Sequence, residues 1–351
     1  MSDITVTRHS VPLRSGTRLG AERLDHREAL LVAWRDPETG LIGRGEAAPA
    51  YWLGEAPVAM VAGELAALVG ARTAANLRDA LDEGTLDASA SARCALETAL
   101  LDLRGRQQGI TVAALLGAPD AAGERFDVAA LVAGDEPEAI RAEAARRVQN
   151  GFRVLKLKVG GRPPAADVAR IEALRAGGEG RVLLRLDANG SWREDEAADV
   201  LAAIAAPDVE YVEEPLRTHD FVALARLYAR AGVPIAMDES VTTAEHVTRL
   251  AECGVCDTIV IKLARVGGPR AAVALAQHAR SLGIRVALTD SIETAVGRAA
   301  AVHVAAALPG PHQAIGLGGA LLLAADPVLA KVGEPVAHAV ASGPGLGFDL
   351  A

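Results

Sequence analysis

The sequence predicts an α/β fold, a closed barrel of parallel strands preceded by a region of mixed α and β type. Three observations carry this. From about residue 124, seven short apolar runs alternate with alanine-rich amphipathic segments, the pattern of a parallel sheet with crossover helices. Seven or eight such units suit a closed barrel better than an open sheet. Six successive runs end in an ionisable residue (Lys158, Asp187, Glu213, Asp238, Lys262 and Asp290), spaced 29, 26, 25, 24 and 28 residues apart. No glycine-rich dinucleotide fingerprint follows a strand, and GPGLG at 343–347 reads as a loop.

In chain order, residues 29–49 read as two strands joined by a Pro/Gly turn. Residues 57–69 and 88–109 carry helical periodicity. Ala92, Ala95, Leu96, Ala99, Leu100 and Leu103 form one apolar stripe, and Gly109 is a stop signal. The predicted barrel strands are 126–132, 153–158, 182–187, 209–213, 234–237, 257–262 and 284–289.

Half of the 351 residues are hydrophobic, enough for a sizeable core, and the net charge of −9 argues against a nucleic-acid partner. There is no apolar run of membrane-spanning length and no apolar secretion signal at the start, so a soluble, cytoplasmic protein is expected. Cys253 and Cys256 form the one C-x-x-C. It ends a helix rather than opening one, and no second pair completes a zinc site, so it reads as incidental. His219, His246, His278, His303, His312 and His338 show no ligand spacing. Trp34, Trp52 and Trp192 read as packing residues, with Trp52 in a loop able to reach a site.

The strand ends explain why "RVLKLKVGG" (153–161) places Lys156 and Lys158 on one face of a strand. In an α/β barrel the C-terminal strand ends form the functional face, so these lysines meet a ring of carboxylates rather than a dry core. Asp187, Glu213 and Asp238 on three successive strands make an oxygen-only ligand set, suited to Mg2+ with Mn2+ as a substitute. Lys158 and Lys262 flank that set. A second ammonium and a divalent ion both disfavour a charged Lys158, which suits removal of a proton next to a carboxylate. A single acid at a strand end is usually a helix cap, but lysine is unfavourable at a helix N-terminus, and a run of five such ends points to catalysis.

The motifs KLKVG (156–160), RLDANGSW (185–192), YVEEP (211–215), AMDES (236–240) and VIKLARVGG (260–268) together resemble the enolase superfamily, muconate-lactonizing-enzyme subgroup, over nearly the whole chain. The resemblance implies a (β/α)7β barrel over 124–319, with an α+β capping domain from 1–123 completed by the tail 320–351. It implies Mg2+ on Asp187, Glu213 and Asp238, Lys158 and Lys262 as acid/base residues on opposite faces, and Lys156 tuning Lys158. Substrate contacts are expected from Asn189, Asp290, Ser291, Glu293, Gly316 and Leu317.

The segment after strand seven, with RGEAAPAYWLGE (44–55) and SARCALETALLDL (91–103), looks like o-succinylbenzoate synthases. That implies Mg-dependent syn-dehydration of 2-succinyl-6-hydroxy-2,4-cyclohexadiene-1-carboxylate in menaquinone biosynthesis. The alternative is a dipeptide epimerase or N-acylamino acid racemase. Gly319 stands where Thr is common and Asp290 where a small residue is usual. Loops 14–27, with Arg14, Arg18 and Arg23, and 46–55 are expected to set specificity. The expected partner is a small-molecule carboxylate, with no nucleic acid and no membrane; homo-oligomerisation is left open.

Overall fold

The computed structural model describes residues 3–14, 18–19, 22–216, 220–308, 310, 312–327 and 336–348. An antiparallel sheet opens the chain. Its strands Ile4–Pro12, His26–Arg35 and Ile42–Ala47 lie in that order. The centre strand is buried over Ala29–Val32 and at Trp34, as its apolar run requires. The first strand was not expected. Only Ile4 and Val11 among its residues are buried, so it carries little apolar alternation, and pairing with the centre strand from Ile4↔Trp34 to Pro12↔His26 defines it.

Helix Ala90–Gln108 packs on this sheet. Ser89 caps it by accepting from the Ala92 N–H at 3.3 Å, and Gly109 ends it at φ 70°. The third strand lies so close to the helix that it has no room for side chains on that face. A Cβ on Gly43 would stand 2.0 Å from the Ala99 carbonyl oxygen, and one on Gly45 1.9 Å from that of Ala95. Gly45→Ala should therefore push sheet and helix apart and cost about 3 kcal/mol. Chemical denaturation measures this, and a loss below about 0.5 kcal/mol would refute the close-approach argument.

The second sheet has seven parallel strands in chain order: Ala129–Val132, Val154–Lys158, Leu183–Asp187, Val209–Glu213, Ile235–Met237, Thr258–Lys262 and Arg285–Thr289. Helices such as Pro164–Gly178 and Pro269–Ser281 connect them. The sheet is curled, and Ile315–Gly316 bridges to both of its ends. Ile315 bridges Val128 beside the first strand, and Gly316 bridges Thr289 on the seventh. The expected first strand, 126–132, is two pieces. Arg125–Asp127 turns away to pair antiparallel with Ala337–Ala339, and only Ala129–Val132 joins the parallel sheet. No single described helix is long and apolar enough to cross a membrane.

Two buried acids tie the N-terminal layer to the parallel sheet. Glu46 accepts from the Thr294 N–H (2.8 Å), the Thr294 hydroxyl (2.6 Å) and the Gly297 N–H (2.8 Å), at the start of helix Ala295–Ala307. Glu97 accepts from the Arg270 N–H at 3.3 Å and lies under Gly268, where a Cβ would be 2.1 Å from Oε2. Burial pushes Glu97 up from 4.5 to about 7, although Arg270 works the other way. Because the folded value exceeds the unfolded one, folding binds a proton here, and this contribution to stability falls as pH rises from about 4.5 to 7. Glu97→Gln should lack that loss, about 3 kcal/mol at most. Identical pH profiles of Tm for the two proteins would refute it.

Candidate active site

The C-terminal ends of the parallel strands reach one level. Lys158, Asp187 and Glu213 are register neighbours across three strands, and Lys262 pairs in register with Thr289. A pocket opens above them. Its polar lining is Lys156, Lys158, Asp187, Asn189, Lys262, Thr289, Asp290 and Ser291, and Trp52, Leu53, Leu131, Ile292 and Leu322 supply apolar wall. Glu213 and Asp238 lie beneath, fully or almost fully buried.

The ionised groups are closely paired. The Lys156 ammonium lies between Asp187 (2.9 Å) and Glu213 (2.7 Å), and Lys262 is ion-paired with Asp238. Lys158 donates to Asn189 Oδ1 at 2.8 Å and stands 3.9 Å from Asp187. Asn189 in turn donates to Glu239 Oε1 at 2.7 Å, which fixes its amide so that the oxygen faces Lys158. Burial disfavours the ammonium of Lys262, but Asp238, Glu213 and Glu239 outweigh it and hold its pKa above the ordinary lysine value. Lys156 is raised in the same way by Asp187 and Glu213. Among the carboxylates, burial pushes Glu213 up, reinforced by Asp187 and Asp238, whereas Asp187 is held low because Lys156, Lys158 and Lys262 overcome its burial.

This donor set fits a hard divalent cation. It is oxygen-only, its members repel one another, and Glu213 Oε1 is buried without a hydrogen-bond partner. Among the described residues no three acidic, His or Cys side chains converge as a ready cage; here the carboxylates are drawn onto the ammonium groups of Lys156 and Lys262 instead.

The backbone is unusual where the strands end. Asn189 (φ 45°), Glu214 (φ 42°) and Ile292 (φ 63°) are non-glycine residues with positive φ, each just past a sheet strand. For β-branched Ile292 this conformation is costly.

Two residues expected as substrate contacts, Glu293 and Leu317, are not among those lining this pocket. Glu293 Oε2 accepts from the Ser291 N–H, and Asp290, Glu46 and Arg27 are its charged neighbours. Leu317 is 1 % exposed and packs in the core, while its neighbours Gly316 and Gly318 line the pocket. Lys156, Lys158, Lys262, Asp187, Asn189, Asp290, Ser291 and Gly316 all reach the pocket. Leu131, Ile292 and Leu322 were missed because apolar wall positions carry no chemical signal in sequence.

Loop 46–55 contributes Trp52 and Leu53. Its path is set by Arg27, which donates to the Ala48 and Pro49 carbonyls and lies 4.8 Å from the Trp52 ring. Much of loop 14–27 lies outside the described residues, including the side chains of Arg18 and Arg23. His219 also lies outside them. Cys253 closes helix Ala244–Cys253, and both it and Cys256 are free thiols.

Residues 139–351 match the enolase C-terminal domain-like family, and residues 3–117 match the mandelate racemase/muconate lactonizing enzyme N-terminal domain. The chain belongs to the enolase superfamily. Within it, this enolase-superfamily chain falls in the muconate-lactonizing-enzyme subgroup, whose members generally use a divalent metal, typically Mg2+. It is 41 % identical to an o-succinylbenzoate synthase from Thermobifida fusca over 61 % of this chain and 66 % of that one. It is 31 % identical to a hydrophobic dipeptide epimerase from Enterococcus faecalis over 78 % of this chain and 77 % of that one. The crystal structure of dipeptide epimerase from E. faecalis, complexed with Mg and the dipeptide L-Leu-L-Tyr, superposes with a TM-score of 0.89 at 26 % identity, covering 99 % and 98 % of the two chains. Muconate lactonizing enzyme from Pseudomonas fluorescens, complexed with muconolactone, gives 0.89 at 25 % identity, covering 99 % and 96 %.

Proposed function

We propose that this chain is an o-succinylbenzoate synthase, dehydrating 2-succinyl-6-hydroxy-2,4-cyclohexadiene-1-carboxylate to 2-succinylbenzoate. The observation that carries the reading is a pair of lysines, Lys158 and Lys262, from the second and sixth strands of a curled sheet, with three buried carboxylates on the strands between. In this reading the sheet, completed by Ile315–Gly316, works as a (β/α)7β barrel, and residues 1–123 with the tail 320–351 form its cap. Asp187, Glu213 and Asp238 would hold Mg2+, which supplies electrostatic stabilisation to the substrate carboxylate.

Lys158 takes the proton beside that carboxylate. Its ammonium then delivers the proton to the departing hydroxyl on the same face, so the elimination is syn and one residue serves as base and acid. Asn189 aims the Lys158 amine through the 2.8 Å hydrogen bond. Lys262, paired with Asp238, stays cationic and stabilises the enediolate charge from the other side. Trp52 and Leu53 give the pocket an apolar wall. The preference for the synthase over other subgroup activities rests on the 41 % identity with the Thermobifida fusca protein.

A second reading, a dipeptide epimerase, is favoured by Asp290, an acid in the pocket wall that suits a substrate ammonium, and by the likeness to the E. faecalis epimerase structure. Assaying the purified protein with Mg2+ against the cyclohexadiene acid and a dipeptide panel separates the two. Efficient epimerisation without detectable dehydration would overturn the synthase assignment.

A further inference from the structure

Asp290 follows Thr289, the register partner of Lys262, and its own N–H donates to the Gly316 carbonyl at 3.2 Å. Its carboxylate lies directly against Gly319. A Cβ built on Gly319 would stand 2.5 Å from Oδ1, 2.8 Å from Oδ2 and 2.9 Å from Cγ. An acid placed as Asp290 is and a side chain at 319 therefore exclude one another. Oδ2 is buried and has no partner.

The nearby Arg298 is committed elsewhere, to the Glu293 carbonyl at 2.6 Å and Asp326 at 3.1 Å. Among the described residues, none forms an ion pair with Asp290. Asp290 and Gly319 both line the pocket that holds Lys158 and Lys262. An acid in the pocket wall, with one oxygen unpartnered and no ion pair of its own, is a hydrogen-bond acceptor lacking its donor.

We propose that Asp290 and Gly319 form one specificity-determining pair, glycine at 319 making room for an acceptor that binds a hydrogen-bond donor, a hydroxyl or an ammonium, on the carboxylate substrate. The proposal rests on the reading that the pocket takes a carboxylic acid for α-proton removal. It goes further in naming the group that acid must carry and the two residues that select it. Such a pocket favours the ring hydroxyl of the cyclohexadiene acid, or the ammonium of a dipeptide, over 2-succinylbenzoate, which has neither.

The test compares wild type, Asp290→Ser, Gly319→Ala and the double variant, each shown to be folded by thermal melting. Read-outs are KM for the cyclohexadiene acid or L-Ala-L-Leu, whichever is turned over, and the inhibition constant of 2-succinylbenzoate. Asp290→Ser should raise KM for the donor-bearing substrate by about tenfold or more and leave product inhibition nearly unchanged. Gly319→Ala, which displaces the acid without removing it, should cause a similar loss. The double variant should be no worse than either single one. Equal shifts for substrate and product, or a Gly319→Ala protein that behaves as wild type, would overturn the pairing. If neither substrate is turned over, the proposed reaction fails. Calorimetric binding of L-Ala-L-Leu against 2-succinylbenzoate then decides the pair separately: a dipeptide preference lost in Asp290→Ser supports it, and no such preference refutes it.

Discussion

Lys158→Arg will lose turnover by about a thousandfold or more, while Lys262→Arg will keep measurable dehydration. Both variants preserve positive charge, but arginine stays protonated and offers no base. Lys158 is the group expected to move the proton. Its side chain is about one-third exposed at the pocket, and its one close hydrogen bond, to Asn189, orients it without neutralising it. Lys262 is buried against Asp238, and in the one-base reading it contributes only its charge. The larger guanidinium will strain that site, so some loss is expected there as well. Steady-state rates with the cyclohexadiene acid test the asymmetry. Should both variants be equally dead toward dehydration, the one-base mechanism is wrong. Should both stop inversion of a dipeptide that the wild type epimerises, the two-base reading replaces it.

The second large effect is on stability. Lys156→Met will destabilise the fold by about 3–5 kcal/mol, the cost of stranding buried charge when one partner is removed. Lys156 bridges Asp187 and Glu213, whose side chains are 3 % and 0 % exposed. Without it, two like charges face each other on neighbouring strands. Denaturant midpoints measure the loss. The same experiment with millimolar Mg2+ tests the ligand set without an activity assay: the ion should restore part of the lost stability in Lys156→Met and should do less when Glu213 is also changed to Gln. A variant as stable as wild type would show that Lys156 does not neutralise the pair.

The fold and much of the site were legible because barrel chemistry repeats with the chain. Each strand–helix unit returns an ionisable side chain to the same end of the sheet, so a period of 24–29 residues shows in sequence what register later places side by side. Legibility failed where that period does not reach. Ser291 and Glu293 were both expected at the substrate, but the chain turns at Ile292 (φ 63°) and only Ser291 lines the pocket. Leu317 precedes the short 3-10 turn Gly318–Leu322, whose tight winding buries it while exposing glycine backbone to the pocket. Edge strand Ile4–Pro12 has too little burial to leave a pattern. The constraint between Asp290 and Gly319 joins residues 29 positions apart, and no local rule links them.

Glu46 bears on how such a protein can be recombined. It belongs by sequence to the N-terminal sheet, yet its carboxylate serves as the missing first-turn acceptor for a helix that begins 249 residues later. A chimera that exchanged the N-terminal sheet for one without an acid at that point would inherit a helix with bare amide groups at its start. That helix follows directly on the strand-seven turn bearing Asp290 and Ser291. The defect would thus be felt in the pocket, although the seam of the graft lay elsewhere. Donor sheets for such exchanges are better chosen by whether they carry that acid than by overall similarity.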